Sequence, residues 1–166
     1  MSALPHIFLT GFMGSGKSTL GKALAQHLKI NFVDLDRFIE KKENKTILWI
    51  FENEGEETFR TMEKTALLEL SKSEEPSVIS LGGGTVCFGD NLQLVKNNGI
   101  VVYLELAAEE FAERLKKSRQ KRPLIKNVKD DGLLKIIVSK LEERKVFYKQ
   151  AHIIVNGVML SAQILN

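Results

Sequence analysis

Gly11-Phe12-Met13-Gly14-Ser15-Gly16-Lys17-Ser18 spaces two glycines, a lysine and a hydroxyl in the pattern GxxxxGK[ST]. Glycine lets the backbone wrap closely, so that successive N–H groups converge on one concavity and hold phosphate oxygens. A helix opening at the end of such a loop adds the positive end of its dipole. Lys17 supplies a point charge for β- and γ-phosphates, and the Ser18 hydroxyl stands where Mg²⁺ is bound. The motif follows an apolar segment and precedes an amphipathic one, the strand-to-helix setting this chemistry requires. Binding of ATP with Mg²⁺ is therefore expected at Gly14, Ser15, Gly16, Lys17, Ser18 and Thr19.

Asp34-Leu35-Asp36 closes a second apolar segment, and alternation lets both carboxylates face one crevice. The third apolar segment, Ser77–Leu81, ends without an acidic residue, so Asp34 is the nearest second metal ligand, directly or through water. Asp36 is then available to accept a hydrogen bond from an acceptor alcohol and to take its proton. It is also placed to cap a helix beginning at Arg37, and the two roles are compatible. Gly82-Gly83-Gly84 ends the third segment, where missing side chains let substrate hydroxyls or a phosphate approach backbone N–H groups.

Short apolar runs alternate with amphipathic stretches, the pattern of a parallel sheet covered by helices. Strands are predicted at His6–Thr10, Ile30–Val33, Ser77–Leu81, Ile100–Leu106 and His152–Val155. Helices are predicted at Thr19–Leu28, Arg37–Glu43, Ile47–Phe51, Thr58–Leu70, Asn91–Lys96, Ala108–Lys117 and Asp131–Tyr148, the last with Leu134, Ile137, Leu141 and Tyr148 spaced for packing. The 166 residues suit one α/β domain, with no repeat and no linker. No apolar run approaches the ~20 residues that cross a bilayer, and no secretory signal precedes the first strand. A lone Cys87 excludes an internal disulfide framework and fits a reducing cytoplasm.

The net charge of +3 is unevenly placed: Arg114, Lys116, Lys117, Arg119, Lys121 and Arg122 fall in one short run. No aromatics are interleaved for base stacking, so a polyphosphate ligand is favoured over nucleic acid. Around Arg122-Pro123 this run reads as a mobile basic lid.

Several segments together resemble shikimate kinase, from about His6 to about Val155. They are the phosphate loop with Thr19, Asp34-Leu35-Asp36, Gly55-Glu56 followed by Phe59-Arg60 and Glu63, Gly82-Gly83-Gly84, Arg122-Pro123-Leu124, and Glu143-Arg144 followed by Tyr148. The resemblance implies a three-layer αβα P-loop fold with a five-stranded parallel sheet ordered 2-3-1-4-5. It implies one domain over 1–166, with a substrate-binding insert at about 35–62 and a lid at about 114–130. It further implies ATP-dependent phosphorylation of the 3-hydroxyl of shikimate by a cytoplasmic, monomeric enzyme of chorismate biosynthesis. Arg60 and Arg144 become a clamp for the substrate carboxylate, since planar guanidinium groups grip carboxylates through paired hydrogen bonds. Substrate is expected at Asp36, Arg60, Gly82, Gly83, Gly84 and Arg144, metal at Ser18 and Asp34, and catalysis from Lys17, Asp36 and Arg122. Arg122 would reach the phosphates from the lid and exclude water on closing.

Phe51 and Phe59 pack beside the acceptor ring or in the core, and Arg114 or Arg119 stacks on adenine. Asn156-Gly157-Val158 replaces the segment with which the family holds adenine. Competing readings are a kinase for another sugar acid such as gluconate, and a silent P-loop binding module. A guanine-nucleotide switch is disfavoured, because Asn44-Lys45 is not followed two residues later by Asp.

Overall fold

The computed structural model describes residues 4–118 and 130–157, with the backbone alone at 116–118 and 130–131. Of the expected lid at about 114–130, residues 119–129, with Arg119 and Arg122, lie outside the described residues, while 114–118 and 130 belong to helices. The strands are β1 (His6–Thr10), β2 (Asn31–Asp34), β3 (Ser77–Ser80), β4 (Gly99–Glu105) and β5 (Ile153–Asn156). They form one parallel sheet in the order β2-β3-β1-β4-β5, with helices on both faces. The helices are α1 (Lys17–Leu28), α2 (Leu35–Glu43), α3 (Ile47–Asn53), α4 (Gly55–Ser71), α5 (Asn91–Asn98), α6 (Ala108–Ser118) and α7 (Asp130–Tyr148).

Strands buried on both faces feed two cores alternately, because successive side chains point to opposite sides. Phe8, Ile79, Val101 and Tyr103 enter one core with residues of α2, α3, α4 and α7. Their neighbours Leu9, Val78 and Leu104 enter the other, against Ala25 of α1. A third cluster joins Phe12 to Phe111 and Leu115 of α6 and to Leu133 and Ile137 of α7. Leu133, not Leu134, is the buried position at the start of α7; Leu134 is 40% exposed, one residue out of the expected register.

α1 lies close to the sheet at Gly21. A Cβ there would fall 2.5 Å from Phe32 Cε2 and 3.1 Å from Leu9 Cδ1. Gly21→Ala is expected to destabilise the fold by about 1–3 kcal/mol despite alanine's better helix propensity, because the core must move to admit the methyl. Urea unfolding checks this, and an unchanged midpoint would show that the helix shifts freely.

Two histidines serve the framework. His6 Nε2 lies 3.0 Å from Ser73 O, and His152 Nδ1 accepts from Val101 N–H at 3.0 Å. Among the described residues no helix is long and apolar enough to cross a membrane.

Candidate active site

The loop between β1 and α1 turns on Gly16, whose φ of 91° places the residue before α1 in the left-handed region. A side chain there would be strained, which explains glycine immediately before the lysine. Lys17 is nearly buried. Its ammonium donates to Gly11 O at 2.7 Å, Phe12 O at 3.0 Å and Ser15 Oγ at 3.3 Å. The charge is thus held inside the concavity of the loop rather than extended into solvent. Arg114 of α6 donates from Nη1 to Gly14 O at 3.3 Å, laying its guanidinium over the same loop.

Ser18 lies in the first turn of α1 and donates from Oγ to Asp34 Oδ2 at 2.6 Å. Ser80 Oγ is 3.4 Å from Ser18 Oγ, and the sheet register sets Asp34 beside Ser80. One carboxylate and two hydroxyls make a hard, all-oxygen donor set of the kind that suits Mg²⁺ together with phosphate and water. Ser80 escaped sequence reasoning, which searched the end of β3 for an acid and found none. Its signal would have been the hydroxyl in that same position.

Asp34 also corrects the assignment of the cap. α2 begins at Leu35, and the Asp34 side chain accepts from Arg37 N–H at 3.3 Å. Asp36 therefore sits in the first turn of α2 instead of on the strand or at the cap. From there it enters the crevice, where Asp36 Oδ1, Glu63 Oε1 and Thr85 Oγ1 all lie within about 3.2 Å of a Cβ built on Gly82. Burial, followed by the neighbouring carboxylates of Asp34 and Glu63, pushes the Asp36 carboxyl up to about 6, with Lys17 acting in the opposite direction.

Beyond Asp36 opens a cavity of about 600 Å³. Arg60, Arg144 and the three glycines line it, with Phe51 and Phe59 on one wall. The two rings contact each other at 4.7 Å, and Phe59 is also buried, so they serve both cavity and core. The remaining wall is the α7 surface around Lys140, Glu143 and Phe147. None of the three glycines has a positive φ; close approach explains them. A Cβ at Gly83 would lie 3.3 Å from Met13 N and 3.5 Å from Arg144 Nη1. One at Gly84 would lie 3.1 Å from Arg60 Nη2 and 3.4 Å from Arg144 Nη2. The glycine turn is thus wedged between the phosphate loop and both guanidinium groups, which makes the two halves of the site continuous.

Arg60 is held before any ligand arrives. Nη1 donates to Glu63 Oε2 at 2.9 Å, while Nη2 and Nε donate to Glu56 Oε1 at 3.0 and 3.3 Å. The ring of Phe88 lies 3.8 Å from the guanidinium carbon. Glu63 is itself buried and accepts from Thr85 Oγ1 at 2.6 Å. A guanidinium carries five N–H groups. Three are used here, one each on Nε, Nη1 and Nη2. The i,i+4 ion pair with Glu56 thus leaves further N–H capacity on Nη1 and Nη2. Lys140 and Glu143 pair with each other at 2.7 Å, and Arg144 is a neighbouring positive charge to Glu143. Phe88 and the 3-10 turn Thr85–Cys87 that presents it were missed, since an aromatic just after a glycine turn has no distinctive pattern. Cys87 lines the cavity, and burial pushes its thiol up to about 11, away from nucleophilic chemistry.

A phosphate loop after the central β1, with this strand order, places the chain in the class of P-loop kinases with a three-layer sheet. The sequence model of the family described as shikimate kinase matches residues 13–165. A shikimate kinase of Bacteroides fragilis is 47% identical over 149 residues, covering 90% of this chain and 83% of that protein. The crystal structure of a shikimate kinase from Bacteroides thetaiotaomicron superposes with a TM-score of 0.88 at 42% identity, covering 93% of this chain and 88% of that one. A shikimate kinase from Acinetobacter baumannii, solved in complex with shikimate, gives 0.87 at 36% identity over 98% and 91% of the two chains. The chain belongs to the shikimate kinase family.

Proposed function

We propose that this protein transfers the γ-phosphoryl group of ATP to the 3-hydroxyl of shikimate, giving shikimate 3-phosphate and ADP in chorismate biosynthesis. The observation that carries the reading is the wedging of Gly83 and Gly84 between the phosphate loop and the paired guanidinium groups of Arg60 and Arg144. That arrangement brings a triphosphate cradle within reach of a carboxylated alcohol. We further propose that the enzyme works as a cytoplasmic monomer, with α2, α3 and the start of α4 forming the substrate-binding insert.

In this reading the backbone of Gly14, Ser15 and Gly16, with Lys17, Ser18 and Thr19, holds the triphosphate. Ser18, Asp34 and Ser80 would hold Mg²⁺, which when bound neutralises phosphate charge and fixes its orientation. Arg60 and Arg144 take the substrate carboxylate and so set the angle of its ring. The Gly82–Gly84 backbone approaches the substrate's polar groups. Asp36 accepts the hydrogen of the attacking hydroxyl and receives its proton as the bond to phosphorus forms. Lys17, joined by Arg122 from the lid, opposes charge on the transferring group. Alignment and electrostatics supply most of the acceleration, because phosphoryl transfer asks little covalent chemistry of the protein.

ADP formation measured with Mg²⁺·ATP and a panel of carboxylated alcohols tests this directly. Turnover is expected with shikimate; turnover with gluconate alone would overturn the assignment. Arg60→Leu is expected to raise the shikimate KM by about ten- to a hundredfold while leaving the KM for ATP close to that of the parent. An unchanged shikimate KM would remove Arg60 from the clamp.

A further inference from the structure

Tyr148 sits at the C-terminal end of α7, completely buried, with its ring stacked on Tyr103 at 4.9 Å. Its phenol donates a hydrogen bond to the carbonyl of Gly83. Arg144, one helical turn earlier on α7, sets its guanidinium against the same glycine turn, with Nη1 3.5 Å from a Cβ built on Gly83 and Nη2 3.4 Å from one built on Gly84. A single buried hydroxyl on α7 therefore holds the glycine turn after β3 at the place where the Arg144 guanidinium packs on it. Burial pushes the phenol's titration above its ordinary range, so it remains a donor at any working pH.

Resting on the function proposed above, we infer that Tyr148 is a positioning residue for the acceptor: it holds the Gly83 carbonyl and so fixes the glycine turn against which the Arg144 guanidinium packs. The peptide unit explains how. Gly83 C=O and Gly84 N–H belong to one planar trans group and point in opposite directions. Holding the carbonyl toward Tyr148 turns the Gly84 N–H the other way. Three successive glycines would otherwise leave that plane poorly determined, because glycine restricts its own dihedrals least. The α7 wall and the glycine floor then keep a constant separation. Tyr148 does not touch the reacting atoms, so its effect falls on acceptor binding and not on the chemical step.

Tyr148→Phe retains the stacked ring and removes only the hydroxyl. The expected result is a shikimate KM raised about three- to tenfold, with the ATP KM and kcat within about twofold of the parent. Tyr103→Phe, which also deletes a hydroxyl from the same stack, serves as the control and is expected to leave all three constants unchanged. Equal KM changes for both substrates, equal effects of the two variants, or no effect of Tyr148→Phe would each overturn the inference. Should Tyr148→Phe fail to fold, the role would be that of a core residue and the inference also falls. A parent enzyme that never turns over shikimate overturns the functional reading as well, whereas an active parent with an unaffected Tyr148→Phe overturns this inference alone.

Discussion

Lys17→Ala is expected to reduce shikimate-dependent ADP formation by about a thousandfold or more in kcat. The ammonium is nearly buried among the carbonyls of Gly11 and Phe12 and the hydroxyl of Ser15, so its charge acts in surroundings with little water to screen it. Developing charge on a transferring phosphoryl group would meet that field at close range. The substitution also strips a charged donor from two buried carbonyls, and a lower melting temperature should accompany the kinetic loss. A second signature is electrostatic. Lys17 pulls the Asp36 carboxyl down against burial and its acidic neighbours. Without it, the acid limb of any residual activity moves to higher pH. Steady-state kinetics and a pH series on the variant check all of this, and near-parental turnover would remove Lys17 from the catalytic machinery.

Asp36→Asn carries the other large expectation, with opposite signs for activity and stability. Loss of a general base lowers kcat by about 10²–10⁴. The Asp36 carboxyl is pushed up to about 6 in the folded protein from an ordinary 3.8, by burial first and by Asp34 and Glu63 next. A raised folded value means that the native state holds the proton more tightly than the unfolded chain does. Native stability therefore falls as pH rises from about 4 to about 6, and the full cost of the ionised carboxylate is present above that. Asparagine does not titrate, so at pH 8 the variant should be more stable by on the order of 1–3 kcal/mol. That advantage should vanish below about pH 4. The parent's kcat/KM should show an acid limb near pH 6, which the residual activity of the variant lacks. Thermal unfolding at two pH values separates the cases: a variant less stable than the parent at pH 8 would mean that the ionised carboxylate is satisfied in the native fold.

Such a cost is tolerable in one residue because the surrounding structure over-determines its place. The α2 cap at Asp34, the buried Glu63 and the Gly82 approach all hold Asp36 at the crevice. The same neighbours that raise its titration also fix its direction, so basicity and position have one cause.

How much of this was legible from residue order varies by element. The phosphate loop was, because its spacing expresses a local requirement: left-handed backbone at Gly16 and a helix starting at Lys17. Strands β1, β3 and β4 were, because burial on both faces writes a continuous apolar run. The start of α2 was not, since two aspartates separated by one residue offer equivalent caps, and the Arg37 N–H chooses Asp34. The inward-facing residue near the start of α7 was not legible for a similar reason: Leu133 and Leu134 are both apolar, and contact with Phe12 and Phe111 selects the first.

By itself, the order of residues determined the phosphate-binding motif, the alternation of strand and helix, and the set of charged residues available to meet an anion. Those are local properties, written in spacing and period. Tertiary structure alone decided that Phe88 would stack on the Arg60 guanidinium, that Ser80 would join Ser18 and Asp34, and that Tyr148 would hold the Gly83 carbonyl beside Arg144. These partners lie up to 65 positions apart. The pairing of β2 with β3, the placing of α4 beside the turn after β3, and the crossing of α7 over that turn bring them together, and no local pattern records which hydroxyl or ring will occupy the gap.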